Sequence, residues 1–255
     1  MGTVFSVHVI GDAQGGEERR AVQERAAAAF FDEVSELERI FSPFRDDSDV
    51  SRIRLGDLDV ASADVRVGVV AAACDEAEAA TAGRFSARWR GGFDPTGYVK
   101  GWSVDVAGER HLEPLLQMPG IRAVGVNAGG DVRVWSSPEA PWAWRVGIAD
   151  PQRRGAILAT VELTSGAVAT SGIAERGGHI IEPASGRPAG GALSATIVAA
   201  DLATADVWAT AAVVAGAEDL SWIGGAPLAS GLVVASHGGV RRFAGGVELC
   251  IVPAA

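Results

Sequence analysis

Three groups of residues in this chain have the types and the spacing to do chemistry. The first, Asp94-Pro95-Thr96-Gly97-Tyr98-Val99-Lys100-Gly101-Trp102, reads as a loop entering a helix. Free N–H groups and the positive end of the helix dipole make such an entry an anion site, and a lysine one turn in adds a donor for phosphate. A cation at Lys100 opposes the dipole unless an anion or the Asp94 carboxylate compensates it; the alternative is an ordinary N-cap by Thr96 with a solvated lysine. The second group, Thr204-Ala205-Asp206-Val207-Trp208-Ala209-Thr210, sets Asp206 and Thr210 four apart, on one face of a helix. A carboxylate is expensive to bury unpaired among alanines, and a hard cation with oxygen ligands would satisfy both it and the hydroxyl. Alternatively, Asp206 favours a first helical turn and Thr210 bonds back to a carbonyl. The third group is His179-Ile180-Ile181-Glu182-Pro183, followed by Ser185-Gly186-Arg187-Pro188. His179, between Gly178 and two isoleucines, is either a satisfied core residue or a general base held between a strand and a turn. His8, His111 and His237 have no partner pattern and read as structural.

The elements that must position these groups follow from hydrophobic periodicity. Val4 to Val9 alternates as a strand, and Glu17 to Phe41 carries Phe30, Val34, Leu37 and Phe41 at helical spacing before Ser42-Pro43 stops it. A second helix is expected from an N-cap at Ser62 to a stop at Gly83. A third begins near Tyr98 and is broken late by Pro114. From Ile121 the pattern changes to short apolar strands: 121–126, 132–135, 142–148, 157–163, 167–170, 193–199 and 231–235, with a turn at Asn127-Ala128-Gly129-Gly130-Asp131. One more helix, Thr204 to Ala215, interrupts them, and Arg242 to Val252 closes the chain as a strand or a pair. Helices early and strands late argue for an α+β fold rather than alternating βαβ units. With no internal repeat and no linker, a single domain over 1–255 is expected.

Composition narrows the function classes. With 48% hydrophobic and 21% charged residues, the 255-residue chain can bury a core. A net charge of −10 leaves no broad basic surface, which disfavours nucleic-acid binding and an anionic-membrane anchor. The most apolar stretch, Ala192 to Ala217, is interrupted by Asp201 and Asp206 and does not read as a membrane span. Cys74 and Cys250 lie in apolar surroundings without metal spacing and read as small core residues. Met1-Gly2-Thr3 runs straight into the first strand, so neither an export signal nor myristoylation is expected. The signatures of phosphate-loop NTPases, Rossmann dehydrogenases, serine hydrolases and zinc proteases are absent from the sequence.

Taken in order, these segments resemble the ApbE family, the FAD:protein FMN transferases. The resemblance rests on Met1-Gly2-Thr3, Phe41-Ser42-Pro43-Phe44-Arg45 leading to Ser48, Asp94 to Trp102 with Asp105, and Gly129-Gly130-Asp131. It continues through Gly147-Ile148-Ala149-Asp150-Pro151, Ala169-Thr170-Ser171-Gly172, His179 to Pro183, and Ala205-Asp206 with Ala209-Thr210-Ala211. It implies an ApbE-like, T-fold-like α+β domain of mainly antiparallel sheet with packed helices and FAD in a cleft. Magnesium would be held by Asp206, Thr210 and backbone oxygen at Gly97 and Ala209. FAD would contact Met1, Phe44, Arg84, Phe85, Ser86, Asp94, Lys100 and Ile180. His179 is similar to the histidine that helps activate the acceptor hydroxyl, and Lys100 would serve the phosphates in the chemical step.

The implied reaction moves FMN from FAD to a threonine or serine of an acceptor flavoprotein and releases AMP. The family's acceptors carry the motif D-x-x-S-G-[AS]-T, which this chain lacks, so it reads as the enzyme and not the target. It departs from the family pattern at Arg54, where Asn is common, at Ser86, where an acidic residue is usual, and in a shortened segment between Phe85 and Phe93. The family's common export signal and lipid-attachment cysteine are missing, which points to a cytoplasmic or truncated form. Two other readings stay open here: a protein that binds FAD without transferring FMN, and a magnesium-dependent FAD pyrophosphatase.

Overall fold

The computed structural model describes residues 3–12, 16–89, 91–173 and 180–249. Helix α1 (Glu17–Phe41) buries Phe30, Val34, Leu37 and Phe41, the stripe its periodicity demands, and ends with Ser42 in extended backbone ahead of Pro43. A short helix, α2 (Asp49–Leu55), follows; the Ser48 hydroxyl caps it by accepting from Ser51 N at 3.0 Å, and Gly56 closes it at φ 80°. Helix α3 (Val65–Ala80) has its cap two residues beyond the expected one, because the Asp64 side chain rather than Ser62 accepts from Arg66 N. Helix α4 (Thr96–His111) starts before Tyr98 and gives way to a 3-10 turn at Glu113–Gln117 that carries Pro114.

The strands are β1 (Phe5–Gly11), β2 (Ile121–Ala128), β3 (Asp131–Ser136), β4 (Trp144–Ala149), β5 (Ile157–Leu163), β6 (Gly166–Gly172), β7 (Ile181–Glu182), β8 (Arg187–Pro188), β9 (Ser194–Ala199), β10 (Leu228–Val234), β11 (Val240–Ala244) and β12 (Val247–Leu249), with helix α5 (Leu202–Ala215) between β9 and β10. Eight form one sheet in the order β1-β2-β3-β6-β9-β10-β11-β12, and every pairing in it is antiparallel. β4 and β5 pair separately, as do β7 and β8. The closing segment is thus a pair, β11 and β12, and the mainly antiparallel α+β architecture agrees with the sequence reading.

Alternation sorts side chains to the two faces of the sheet. Ala167 and Ala169 of β6, Ala195, Ile197 and Ala199 of β9 and Val233 of β10 face the helices. Val168, Val198, Leu232 and Val234 face the other way, against Ile148 of the β4–β5 pair. Helix α5 lies on β6 and β9, α4 lies on α5, and α1 lies on α4. The many alanines of α5 and of the strands under it permit this close layering; Ala205, Ala209 and Ala212 are fully buried. A fully buried Ile197 or Leu202 contributes roughly 1.5–3 kcal/mol relative to exposure, so this stack is the main source of stability around the site. No helix among the described residues is long and apolar enough to cross a membrane.

Candidate active site

The layering brings α4, α5, β3 and β6 to one point. Lys100, in the second turn of α4, donates a hydrogen bond from Nζ to Asp131 Oδ2 at the start of β3. The same ammonium lies 3.0 Å from Asp206 Oδ2 on α5. That second contact has the distance of an ion pair without the directionality of a hydrogen bond, and Asp206 Oδ2 is otherwise buried without a partner. Asp131 Oδ1 accepts from Thr170 N of β6 at 2.8 Å. Next to it, Ser171 Oγ and Thr210 Oγ1 share a hydrogen bond at 3.1 Å, and Thr170 Oγ1 and Thr196 Oγ1 another at 2.9 Å.

Two carboxylates around one ammonium leave a surplus negative charge in a buried place. Burial works against the Lys100 charge, yet Asp206 and Asp131 outweigh it and hold its pKa above the ordinary lysine value. Burial raises the Asp206 carboxyl above the usual range, while Lys100 and the Gly101 N–H draw it back down. Asp206 Oδ2 and the Thr210 hydroxyl are hard oxygen atoms of the type a divalent cation takes, and the surplus charge favours one; the residues fit such an ion. Among the described residues no group of three or more His, Cys, Asp or Glu side chains converges as a metal cluster. A cation here would complete its shell from hydroxyl, backbone and ligand oxygens.

Two close approaches fix the geometry. At Gly101 a Cβ would stand 2.6 Å from Leu202 O and 2.8 Å from Ala203 Cα, so α4 and α5 touch backbone to backbone. One turn earlier, a Cβ on Gly97 would meet the Phe85 ring at 3.0 Å. Asp105, further along α4, accepts from Leu202 N at 2.9 Å and Ala203 N at 2.8 Å, capping α5, and from Arg133 Nε at 3.0 Å. Burial pushes its carboxyl up to about 6 against those bonds. Arg133 in turn stacks over the Trp135 ring at 4.4 Å.

The expected site residues divide into three sets. Lys100, Asp206 and Thr210 come together, with Gly97 and Ala209 on the same two helices. Asp94 does not compensate Lys100: its Oδ1 accepts from Thr96 Oγ1 at 2.7 Å and its Oδ2 lies 3.7 Å from Arg54 Nη1, because Asp131 and Asp206 already surround the lysine. Asp94 thereby occupies the entry of α4, and the departure at Arg54 acquires a partner. Phe85 and Ile180 have buried side chains, Arg84 Nη1 donates to Thr81 O at 3.3 Å, and Ser86 Oγ accepts from Arg88 N at 3.0 Å. Phe44 is 85% exposed. Met1 and His179 lie outside the described residues. Type and spacing alone do not single out Asp131, Thr196 or the Asp105–Arg133 pair as site residues. The Gly129-Gly130 turn followed by an acid at the first position of a strand is the signal that marks Asp131.

Cys74 is buried in the core, and burial pushes its thiol up to about 12, consistent with an inert packing residue.

The chain matches the model of the ApbE family over residues 89–227, more than half of its length. A FAD:protein FMN transferase of Rhodobacter capsulatus is 40% identical over 131 residues, covering 48% of this chain and 24% of that protein. A FAD:protein FMN transferase of Escherichia coli K12 is 31% identical over 118 residues, covering 42% of this chain and 34% of that protein. These alignments thus span about a quarter to a third of the length of the relatives. Among solved structures, the ApbE protein of Thermotoga maritima superposes with a TM-score of 0.76 at 23% identity, covering 94% of this chain and 96% of that one. The flavin transferase ApbE of Vibrio cholerae superposes with a TM-score of 0.70 at 21% identity, covering 96% and 94%. At those identities the superpositions speak for a shared fold.

Proposed function

We propose, on the premise that this chain belongs to the ApbE family, that it transfers FMN from FAD to a threonine or serine hydroxyl of an acceptor flavoprotein and releases AMP. The observation that carries this reading is the half-buried Lys100, shared by the buried Asp131 and Asp206 beside the Ser171–Thr210 hydroxyl pair. A diphosphate repels an incoming oxygen nucleophile, and fixed positive charge at its oxygens lowers that repulsion and stabilises the transition state. Lys100 donates to a non-bridging oxygen at the FMN phosphorus. The acceptor oxygen attacks that phosphorus, the bond to the bridging oxygen breaks, and the electron pair leaves with AMP. The acceptor proton passes to a base, the role given to His179.

Asp206 and Thr210, with backbone oxygen at Gly97 and Ala209, hold magnesium in this reading. When bound, the ion neutralises charge on the diphosphate and orients it. Support for that ligand set comes from Asp206 Oδ2, buried without a hydrogen bond, and from Thr210, one turn further along α5 with its hydroxyl on Ser171. Phe85 packs under Gly97 and so shapes the floor on which FAD rests, with Met1, Phe44, Arg84, Ser86, Asp94 and Ile180 as further FAD contacts. Residues 1–255 act as one flavin-transferase domain, and the acceptor carries a D-x-x-S-G-[AS]-T type motif.

The test is incubation with FAD, magnesium and an acceptor peptide of that motif, followed by mass spectrometry of the peptide and chromatography of the nucleotides. An FMN adduct on the hydroxyl with matching AMP is expected. AMP and free FMN without any adduct would replace the reading by a pyrophosphatase, and FAD binding with neither product would reduce it to a flavin-binding protein.

A further inference from the structure

We infer that Asp131 is the residue that keeps Lys100 in the site when a divalent cation takes Asp206. It is a positioning residue that acts through the lysine, and the inference rests on the reading of Asp206 as a cation ligand.

The two carboxylates around Lys100 are not equivalent. Asp131 is engaged at both oxygens, by the Lys100 hydrogen bond at Oδ2 and by Thr170 N at 2.8 Å on Oδ1. Its backbone is set by a two-residue hairpin turn in which Gly129 and Gly130 have φ 66° and 102°, closed by Gly130 N donating to Asn127 Oδ1 at 2.9 Å. Two successive positive φ values are what that turn requires and what glycine supplies without strain. Asp131 is therefore tied to both β3 and β6 and has little freedom to follow a departing partner. Asp206 offers Lys100 only the undirected 3.0 Å contact and leaves its Oδ2 without a hydrogen bond.

A cation arriving at Asp206 repels the ammonium beside it. Without Asp131 the lysine has one anionic partner left, so it either competes with the cation for Asp206 or leaves the site. With Asp131 in place, ammonium and cation can both remain, each on its own carboxylate, and both face the diphosphate. The surplus negative charge of the trio is what lets two positive groups coexist there.

The test is a double-mutant cycle on cation affinity, read without FAD and without turnover. Free Mn2+ is followed by electron paramagnetic resonance during titration of the wild-type protein, Asp131→Asn, Lys100→Met and the double variant. Asn at 131 can still accept from Thr170 N. Asp131→Asn is expected to weaken Mn2+ binding by about tenfold in the presence of Lys100 and to have little effect in the Lys100→Met background, a coupling of the size seen for contacting residues. The same loss in both backgrounds would show that Asp131 acts only as a negative charge and would overturn the inference, as would no loss with Lys100 present. Asp131→Glu gives a second measurement should the first variant fail to fold. It keeps the charge and displaces it by one methylene, so weakened Mn2+ binding supports retention of the lysine and unchanged binding overturns it. A wild-type protein that binds no Mn2+ would remove the cation reading along with this inference, whereas an additive cycle removes the inference alone.

Discussion

Gly101→Ala is the sharpest test of how the two functional helices are held together. The new Cβ would stand 2.6 Å from Leu202 O, 2.7 Å from Leu202 C and 2.8 Å from Ala203 Cα. All three are backbone atoms, so no rotamer change relieves them; α4 and α5 must separate by roughly 1 Å to reach ordinary contact. Forcing a methyl into a packed core typically costs about 1–3 kcal/mol, and three backbone contacts place this case at the top of that range. Alanine returns about 1 kcal/mol through its better helix propensity, leaving a net loss of about 2 kcal/mol. In a chain of this size that corresponds to a fall in Tm of about 4–8 °C. Gly68→Ala is the control, since Gly68 lies in α3 with no atom within 4 Å of the place a Cβ would take, and there only the propensity gain of about 1 kcal/mol applies. Thermal unfolding by circular dichroism of both variants measures the contrast. Because separating the helices displaces α5 and the Asp206 it carries, transfer activity should fall more than stability does. Two variants with equal or raised Tm would refute the claim that the helix backbones touch at Gly101.

Other expectations follow from individual contacts. Asp206→Asn keeps the shape but removes the charge a hard cation needs, so the magnesium concentration for half-maximal transfer should rise by more than about tenfold, the usual cost of losing even an outer partner; an unchanged requirement in a magnesium titration would return Asp206 to a purely structural role. His179→Ala should bind FAD with similar affinity by isothermal titration yet lose about 10² to 10⁴ in transfer rate, whereas a core histidine would lower Tm, binding and transfer together. Asp64→Ala removes the α3 cap and should cost about 1 kcal/mol at neutral pH. The Arg66 guanidinium holds the Asp64 carboxyl down to about 2, below the ordinary 3.8, so this contribution is present above about pH 4 and is lost as the pH falls through 2. Urea unfolding at pH 7 and at pH 2 should show the gap between wild type and variant closing; a gap that persists in acid would refute the assignment.

What the sequence makes legible depends on how local the cause is. The bounds of α1 follow from the spacing of Phe30, Val34, Leu37 and Phe41 and from the proline beyond Phe41, and the structure has the same bounds. β5 is bounded as expected for the same reason. Helix α2 escapes periodicity because seven residues make fewer than two turns, although its cap, Ser48, belongs to a recognisable motif. The Asp206–Thr210 face is readable because both residues lie on one helix. The pairing of Lys100 with Asp131, 31 residues apart, is created only when α4 stacks on α5 and α5 on β6. That is also why Asp94, close in sequence, looks like the compensating acid: proximity in the chain competes with proximity in the fold, and the layering decides. The resemblance to a family gathers the scattered segments into one site without reference to any layer, but it carries no information on which acid holds the lysine.

The seat of Thr3 has a practical consequence. Its side chain fills the space a Cβ on Gly129 would need, and Gly129 N donates to Val4 O at 3.0 Å, so the start of the described chain rests on the turn that presents Asp131. A bulkier residue at position 3 presses on that turn and so on the backbone that sets Asp131 against Lys100, which makes Thr3 a place from which the site is disturbed without touching any group in it.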